Sequence, residues 1–328
     1  MITKTTTKPK AAKARVPATK PAVFIDGEAG TTGLEIRRRL AAVSGIEVRS
    51  IAPDKRKDES ARLALMRQAE LVVLCLPDDA ARQAVALANS LGAEAPKIVD
   101  ASTAHRVAAD WTFGFAEMAS GQAAAIKAAK RVSNPGCYST GTIALLRPLI
   151  DAQLLPADFA LTINAVSGYS GGGRSMIEAY ESGEAPEFEL YGLGLEHKHV
   201  PEIELYAGLQ RRPIFVPSVG NFRQGMLVSV PLHLEQLPGK PSARDLEAAL
   251  RHHYSGARLV KVVPAGDASA KGGRLDALAL NDTDVLEIRV FANDKHGHAV
   301  LVARLDNLGK GASGAAVQNI GLMLGVQT

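Results

Sequence analysis

A short apolar run that breaks into glycines and resumes as a helix leaves this chain few folds to choose from. Ala22-Val23-Phe24-Ile25-Asp26 is strand-like; Gly27, Gly30 and Gly33 follow, and Leu34-Glu35-Ile36-Arg37-Arg38-Arg39-Leu40 has helical spacing. Strand, glycine turn and helix in that order open a dinucleotide-binding βαβ unit. Glycines let the backbone approach a pyrophosphate, whose charge meets the helix N-terminus. The spacing is G-x-x-G-x-x-G rather than G-x-G-x-x-G, so a purely structural glycine turn stays open on these residues alone.

The pattern then repeats. Ile46 to Ile51 reads as a second strand, carrying Arg49 and Ser50 where an NAD site would present an acid to the ribose, with Lys55, Arg56 and Lys57 beyond. Basic residues there suit a 2′-phosphate and favour NADP(H), the alternative being a solvated basic loop. Glu70 to Pro77 is a nearly continuous apolar run, as in a buried parallel strand, with Cys75 in its core. A helix over Ala80 to Ala88 and a strand over Lys97 to Asp100 follow; the latter ends in Ala101-Ser102-Thr103-Ala104-His105-Arg106, polar residues at the edge where open α/β sheets hold ligands. Residues 21–136 therefore read as a doubly wound, Rossmann-type parallel sheet.

Val132-Ser133-Asn134-Pro135-Gly136-Cys137-Tyr138 delivers a cysteine to the start of a helix. The dipole there favours a thiolate, which a sulfur nucleophile needs; a buried structural cysteine is the competing reading. Beyond it the texture changes. Phe159 to Val166 is strand-like, and Ser167-Gly168-Tyr169-Ser170-Gly171-Gly172-Gly173-Arg174 is a glycine-dense loop whose N–H groups and Arg174 could meet an anion. In Glu196-His197-Lys198-His199-Val200-Pro201-Glu202-Ile203, two histidines at i and i+2 point to opposite sides of an extended segment, which argues against a shared metal. One of them as acid/base, oriented by Glu202, stands beside a structural role. Strand-like runs at 213–217, 225–234, 285–291 and 298–306, with a helix near Ala243 to His253, indicate a largely antiparallel sheet in an α+β catalytic and oligomerisation domain over 137–310. The small-residue helix over 311–328 is expected to return to the nucleotide domain.

Residues 1–20 hold six basic residues and no acid amid Thr, Ala and Pro, and read as a flexible tail; without them the formal net charge of +4 becomes −2. The basic balance thus does not call for nucleic acid, although a basic arm or transit peptide stays open. No apolar run approaches a membrane span, and two cysteines fit a reducing compartment. The cytoplasm is the expected location.

Taken together, the Gly27 to Gly33 loop, Asn134 to Thr140, the glycines after Ser167, His197 to Ile203 and Asp306-Asn307-Leu308-Gly309-Lys310-Gly311-Ala312-Ser313-Gly314 make the chain resemble the N-acetyl-gamma-glutamyl-phosphate reductases, in their shorter bacterial form, within the semialdehyde dehydrogenase family. The resemblance implies NADPH-dependent reduction of N-acetylglutamyl 5-phosphate to the semialdehyde with release of phosphate, in arginine biosynthesis, by a homotetramer. It places the nucleophile on Cys137 and the acid/base on His199. The cofactor-binding set expected is Gly27, Gly30, Thr31, Thr32, Gly33, Arg49, Ser50 and Pro77; the substrate and phosphate set is Ser102, Arg106, Asn134, Ser167, Gly168, Arg174, His197 and Glu202, with no metal. Family members often carry Asp where this chain has Ala104-His105. A related dehydrogenase acting on aspartyl phosphate or carrier-linked aminoadipyl phosphate, and a non-catalytic NADP-sensing protein, are the competing readings.

Overall fold

A computed structural model describes residues 20–264, 266–267 and 273–328; the basic tail, apart from Lys20, lies outside them. The first sheet has six parallel strands, β1 (Ala22–Asp26), β2 (Glu47–Arg49), β3 (Leu71–Leu74), β4 (Lys97–Asp100), β5 (Thr112–Phe113) and β6 (Arg131–Ser133), in the order β2-β1-β3-β4-β6-β5. All of β1 and β3 is buried, because both faces are covered. Val23, Ile25, Leu71 and Val73 face α1 (Thr31–Ala41), while Phe24, Val72 and Leu74 face α2 (Glu59–Gln68) and α3 (Asp78–Asn89). Strand alternation thus feeds two separate cores. The strand order reverses between β1 and β3, so a ligand crevice opens at their carboxyl ends. The strands expected at 46–51 and 70–77 span only 47–49 and 71–74; the second stops where Cys75 passes against the glycine turn, for Gly27 has φ +88° and a Cβ on it would sit 2.3 Å from the Cys75 carbonyl oxygen.

Helices α4 (Gln122–Ala128) and α5 (Cys137–Asp151) flank the passage to the second sheet. That sheet contains β7 (Thr162–Gly168), β8 (Phe188–Leu190), β9 (Ile214–Gly220), β10 (Met226–His233), β11 (Val260–Val262), β12 (Leu286–Asn293) and β13 (His298–Leu305), ordered β11-β12-β13-β10-β7-β9-β8. Only β7 with β9 and β11 with β12 pair in parallel. Met226, Val228, Val230 and Leu232 point inward onto α5 and α8 (Ala243–His253), whose Ser242 and Asp245 form a capping box.

Four helices were not apparent from sequence: α2 and α4, and two within segments read as loop or extended. The glycine-dense loop tightens into a turn over Tyr169–Gly172 and then α6 (Arg174–Glu181). The histidine segment is not extended: it turns at 197–199 and enters α7 (Val200–Ala207), with Pro201 in the first turn, where its missing N–H costs nothing. Helix α9 (Gly314–Leu324) closes the chain and packs Ala316, Val317, Ile320 and Met323 into the core of the first sheet. A buried Lys310–Glu117 ion pair at 2.7 Å fixes the turn that leads into it.

Candidate active site

The cysteine turn is anchored from several elements. Asn134 donates its N–H to the Asp100 carbonyl (2.7 Å), and Gly136 caps α5, accepting from the Thr140 N–H (2.9 Å) and hydroxyl (3.0 Å). The Asn134 side chain donates to the Ala312 carbonyl (3.0 Å) and accepts from Asn319 of α9 (3.1 Å). Cys137 follows as the first residue of α5, half-buried, with Gly311 so close that a Cβ there would lie 2.8 Å from the cysteine Cβ.

Around this turn is a cavity of about 360 Å³ lined by Thr32, Arg106, Asn134, Cys137, Ser167, Gly168, His197 and His199, all singled out from sequence, together with Tyr191, Lys198 and Asn307. His199 Nε2 and an Arg106 guanidinium nitrogen lie against Gly136: a Cβ on that glycine would be 2.5 and 2.6 Å from them. Arg106 is buried, and its Nε has no partner among the described residues. The rings of His197 and His199 are 4.7 Å apart, not on opposite sides, because the turn into α7 folds them together. No group of three or more His, Cys, Asp or Glu among the described residues is placed to hold a metal ion.

Other expected site residues take different positions. Glu202 does not orient an imidazole. Buried in the first turn of α7, it accepts from Arg106 (2.7 Å) and from the Gly136 N–H (3.1 Å), tying the arginine to the cysteine turn. Ser102 does not reach the cavity; its hydroxyl donates to Asp100 (2.8 Å) and accepts from the Ala104 N–H (3.1 Å), so it shapes the loop that carries Arg106. His105 has its Nδ1 2.6 Å from the same carboxylate and stacks on Trp111. Arg174 is exposed, pairs with Glu178 (3.0 Å), and borders a separate groove with Gly30 and Leu34.

Burial decides the resting protonation states. It pushes the Cys137 thiol up to about 11, against the downward pull of Arg106 and of the Tyr138 N–H. The helix start is where the sequence put it, and burial of the sulfur opposes ionisation there. Burial, and then Lys198 and Arg106, lower His197 to about 4. His199 is held well below the usual imidazole range by burial first, then by Arg106, His197 and Lys198. It is therefore neutral near pH 7 and able to accept a proton. Alkylation of Cys137 in the free protein by iodoacetamide is accordingly expected to rise about tenfold per pH unit from pH 7 to 10, following the thiolate fraction. A rate already level at pH 7 would show that the sulfur is ionised at rest.

The residues at the carboxyl ends of β1 and β3 suit a dinucleotide. A Cβ on Gly33 would meet the Gly27 carbonyl oxygen at 2.7 Å, so the turn closes only on glycine and leaves the start of α1 open. Thr31 begins that helix, Thr32 faces the cysteine cavity, and Pro77 caps α3 beside the turn. Arg49 is occupied by Glu47 (3.2 Å) and Gln68 (2.7 Å), whereas Ser50 accepts from Arg37 (2.7 Å), which also pairs with Glu28. Arg37 and Asn319 were missed from sequence. Arg37 lay one turn beyond Gly33, a usable signal; Asn319 sits on the helix expected to return to the nucleotide domain, but its reach to Asn134 is a tertiary contact that no local pattern displays.

Comparison with known proteins agrees with this arrangement. The semialdehyde dehydrogenase dimerisation-domain family matches residues 137–307. N-acetyl-gamma-glutamyl-phosphate reductases of Brucella ovis and Brucella canis are each 53% identical over 311 residues, covering 93% of this chain and 99% of theirs. Among solved structures, aspartate semialdehyde dehydrogenase II of Vibrio cholerae, complexed with ASA, superposes with a TM-score of 0.66 at 16% identity, covering 94% of this chain and 99% of its own. Aspartate semialdehyde dehydrogenase of Candida albicans, with NADP, gives 0.64 at 14% identity, covering 93% and 99%. The fold is thus shared well beyond the reach of sequence. This chain belongs to the semialdehyde dehydrogenase family, on the branch of the N-acetyl-gamma-glutamyl-phosphate reductases.

Proposed function

We propose that the protein catalyses the NADPH-dependent reduction of N-acetyl-L-glutamyl 5-phosphate to N-acetyl-L-glutamate 5-semialdehyde with release of phosphate, through a thioester on Cys137. The observation that carries this reading is the meeting of Cys137, His199, Arg106 and Thr32 of the glycine turn in one cavity. An acyl phosphate is already activated for displacement. As the bond from the Cys137 sulfur to the acyl carbon forms and the carbon–oxygen bond to phosphate breaks, the thiol proton passes to neutral His199. Arg106, with its Nε unpartnered, holds the phosphate, which takes up a proton from water on leaving.

Gly27, Gly30, Thr31, Thr32 and Gly33 would cradle the cofactor's pyrophosphate, Pro77 would border it, and Ser50, with Arg37 and Arg49, would meet a 2′-phosphate. When bound, NADPH supplies the hydride that a thioester carbonyl, unlike a carboxylate, accepts readily. His199 then returns its proton to the carbonyl oxygen. The hemithioacetal on Cys137 collapses, its hydroxyl proton passing by way of His199 to the departing sulfur. Ser167 and Gly168 border the acyl group, and Glu202 keeps Arg106 and Gly136 in register throughout.

Residues 21–136 with the helix at 311–328 form the nucleotide domain in this reading, and 137–310 the catalytic one. The outer face of the second sheet, with exposed Phe188, Leu190 and Val300 beside Phe291 and Val302, supports pairing of two copies and assembly into a tetramer. No described helix is long and apolar enough to cross a membrane, in keeping with a cytoplasmic enzyme.

The test is intact mass spectrometry after mixing with the acyl phosphate in the absence of NADPH. A mass increase of one N-acetylglutamyl group on Cys137, discharged when NADPH is added, is expected. Consumption of NADPH by a protein that never carries the adduct would sink the mechanism.

A further inference from the structure

The cavity is one-sided in charge. Its described lining includes Arg106 and Lys198 and not one carboxylate. Glu202, an acid that contacts the lining from behind, is buried and committed to Arg106 and the Gly136 N–H. Arg106 is thereby spoken for on one side and offers its remaining nitrogens to a single anion. Lys198 is different: exposed, set between the two cavity histidines, and without an ion pair or hydrogen bond among the described residues. The proposed substrate carries two anionic groups, an acyl phosphate and an α-carboxylate, and the cavity presents two cations.

We infer that Lys198 is a specificity-determining residue that holds the substrate's α-carboxylate, and that the cavity's cationic, carboxylate-free lining restricts the enzyme to substrates whose α-nitrogen is acylated and uncharged. The inference rests on the function proposed above and adds the reason for a blocked nitrogen. An α-ammonium entering this space would be stripped of water beside Lys198 and Arg106 with no acid to pair with. An amide brings no charge, and its N–H can donate to the half-buried Tyr191 hydroxyl, which itself donates to the Tyr138 hydroxyl (3.2 Å) beside His197, an imidazole that burial keeps neutral. Lys198 also lowers the Cys137 thiol and both histidines, which places its charge within electrostatic reach of the reacting centre.

The experiment runs the reaction in the oxidative direction with NADP and inorganic phosphate, comparing two aldehydes that differ only in acetylation, N-acetyl-aspartate semialdehyde and aspartate semialdehyde, with N-acetylglutamate semialdehyde as reference. The wild type is expected to favour the acetylated partner by about 10³-fold or more in kcat/KM. Lys198→Met should raise KM for N-acetylglutamate semialdehyde by about 10- to 100-fold while kcat changes only a few-fold, the pattern of lost uniform binding. Lys198→Glu should narrow the preference by about tenfold or more through a gain on the free amine, a gain that misfolding cannot produce. Unchanged KM in Lys198→Met, or equal losses on both aldehydes in Lys198→Glu, would overturn the inference and leave the proposed function standing. A wild type that turned over none of the three would overturn both.

Discussion

Cys137→Ser is expected to lower kcat/KM for the phosphate-dependent oxidation of N-acetylglutamate semialdehyde by about 10⁴-fold or more, read as initial NADP reduction. The substitution is nearly isosteric at a half-buried position on the first turn of α5, so the fold should persist. What is lost is chemistry. A serine hydroxyl is far less acidic than a thiol already held near 11, so proton transfer to His199 is correspondingly less favourable. Any ester formed would also accept hydride less readily than a thioester. Retention of activity within about tenfold would mean that no sulfur adduct lies on the path.

The second large effect is expected at a residue without a side chain. Gly136→Ala should reduce kcat by about 10²- to 10³-fold, because the added carbon would stand 2.5 Å from His199 Nε2 and 2.6 Å from the Arg106 guanidinium. The backbone is not the obstacle, since φ is −74° there and alanine adopts it freely. Both neighbours are buried, and Arg106 is bound to Glu202, so neither can swing aside cheaply. The cost should appear mainly in turnover, with a stability loss of about 1–3 kcal/mol by denaturant titration. A variant with wild-type kcat would show that the imidazole and guanidinium need not press on this turn.

Much of this site was legible in the chain because the signals are local. A cysteine after Asn-Pro-Gly has to start a helix, and three glycines after a buried strand have to make a turn at the sheet's edge. The readings that moved are those in which local pattern and tertiary demand disagree. Alternation put His197 and His199 on opposite sides, but Pro201 favours a helix start and the turn before it brings the rings together. Glu202, chosen as an imidazole partner by proximity in sequence, answers instead to Arg106, 96 residues away. Arg174 and Ser102 carry suitable groups, but Arg174 opens α6 and pairs with Glu178 one turn on, and the Asp100 carboxylate holds Ser102. At Cys137 the expected pull toward the thiolate, from Arg106 and the Tyr138 N–H, is opposed by burial of the sulfur, a tertiary effect the local pattern does not carry.

The hold of Asn319 and Ala312 on Asn134 bears on the order in which the protein is made. Both partners lie more than 170 residues downstream of Asn134, so a chain interrupted ahead of residue 312 would keep the cysteine and both histidines while losing two fastenings of the turn that carries them. Synthesis of the catalytic side chains and anchoring of their turn are therefore separate events along the chain.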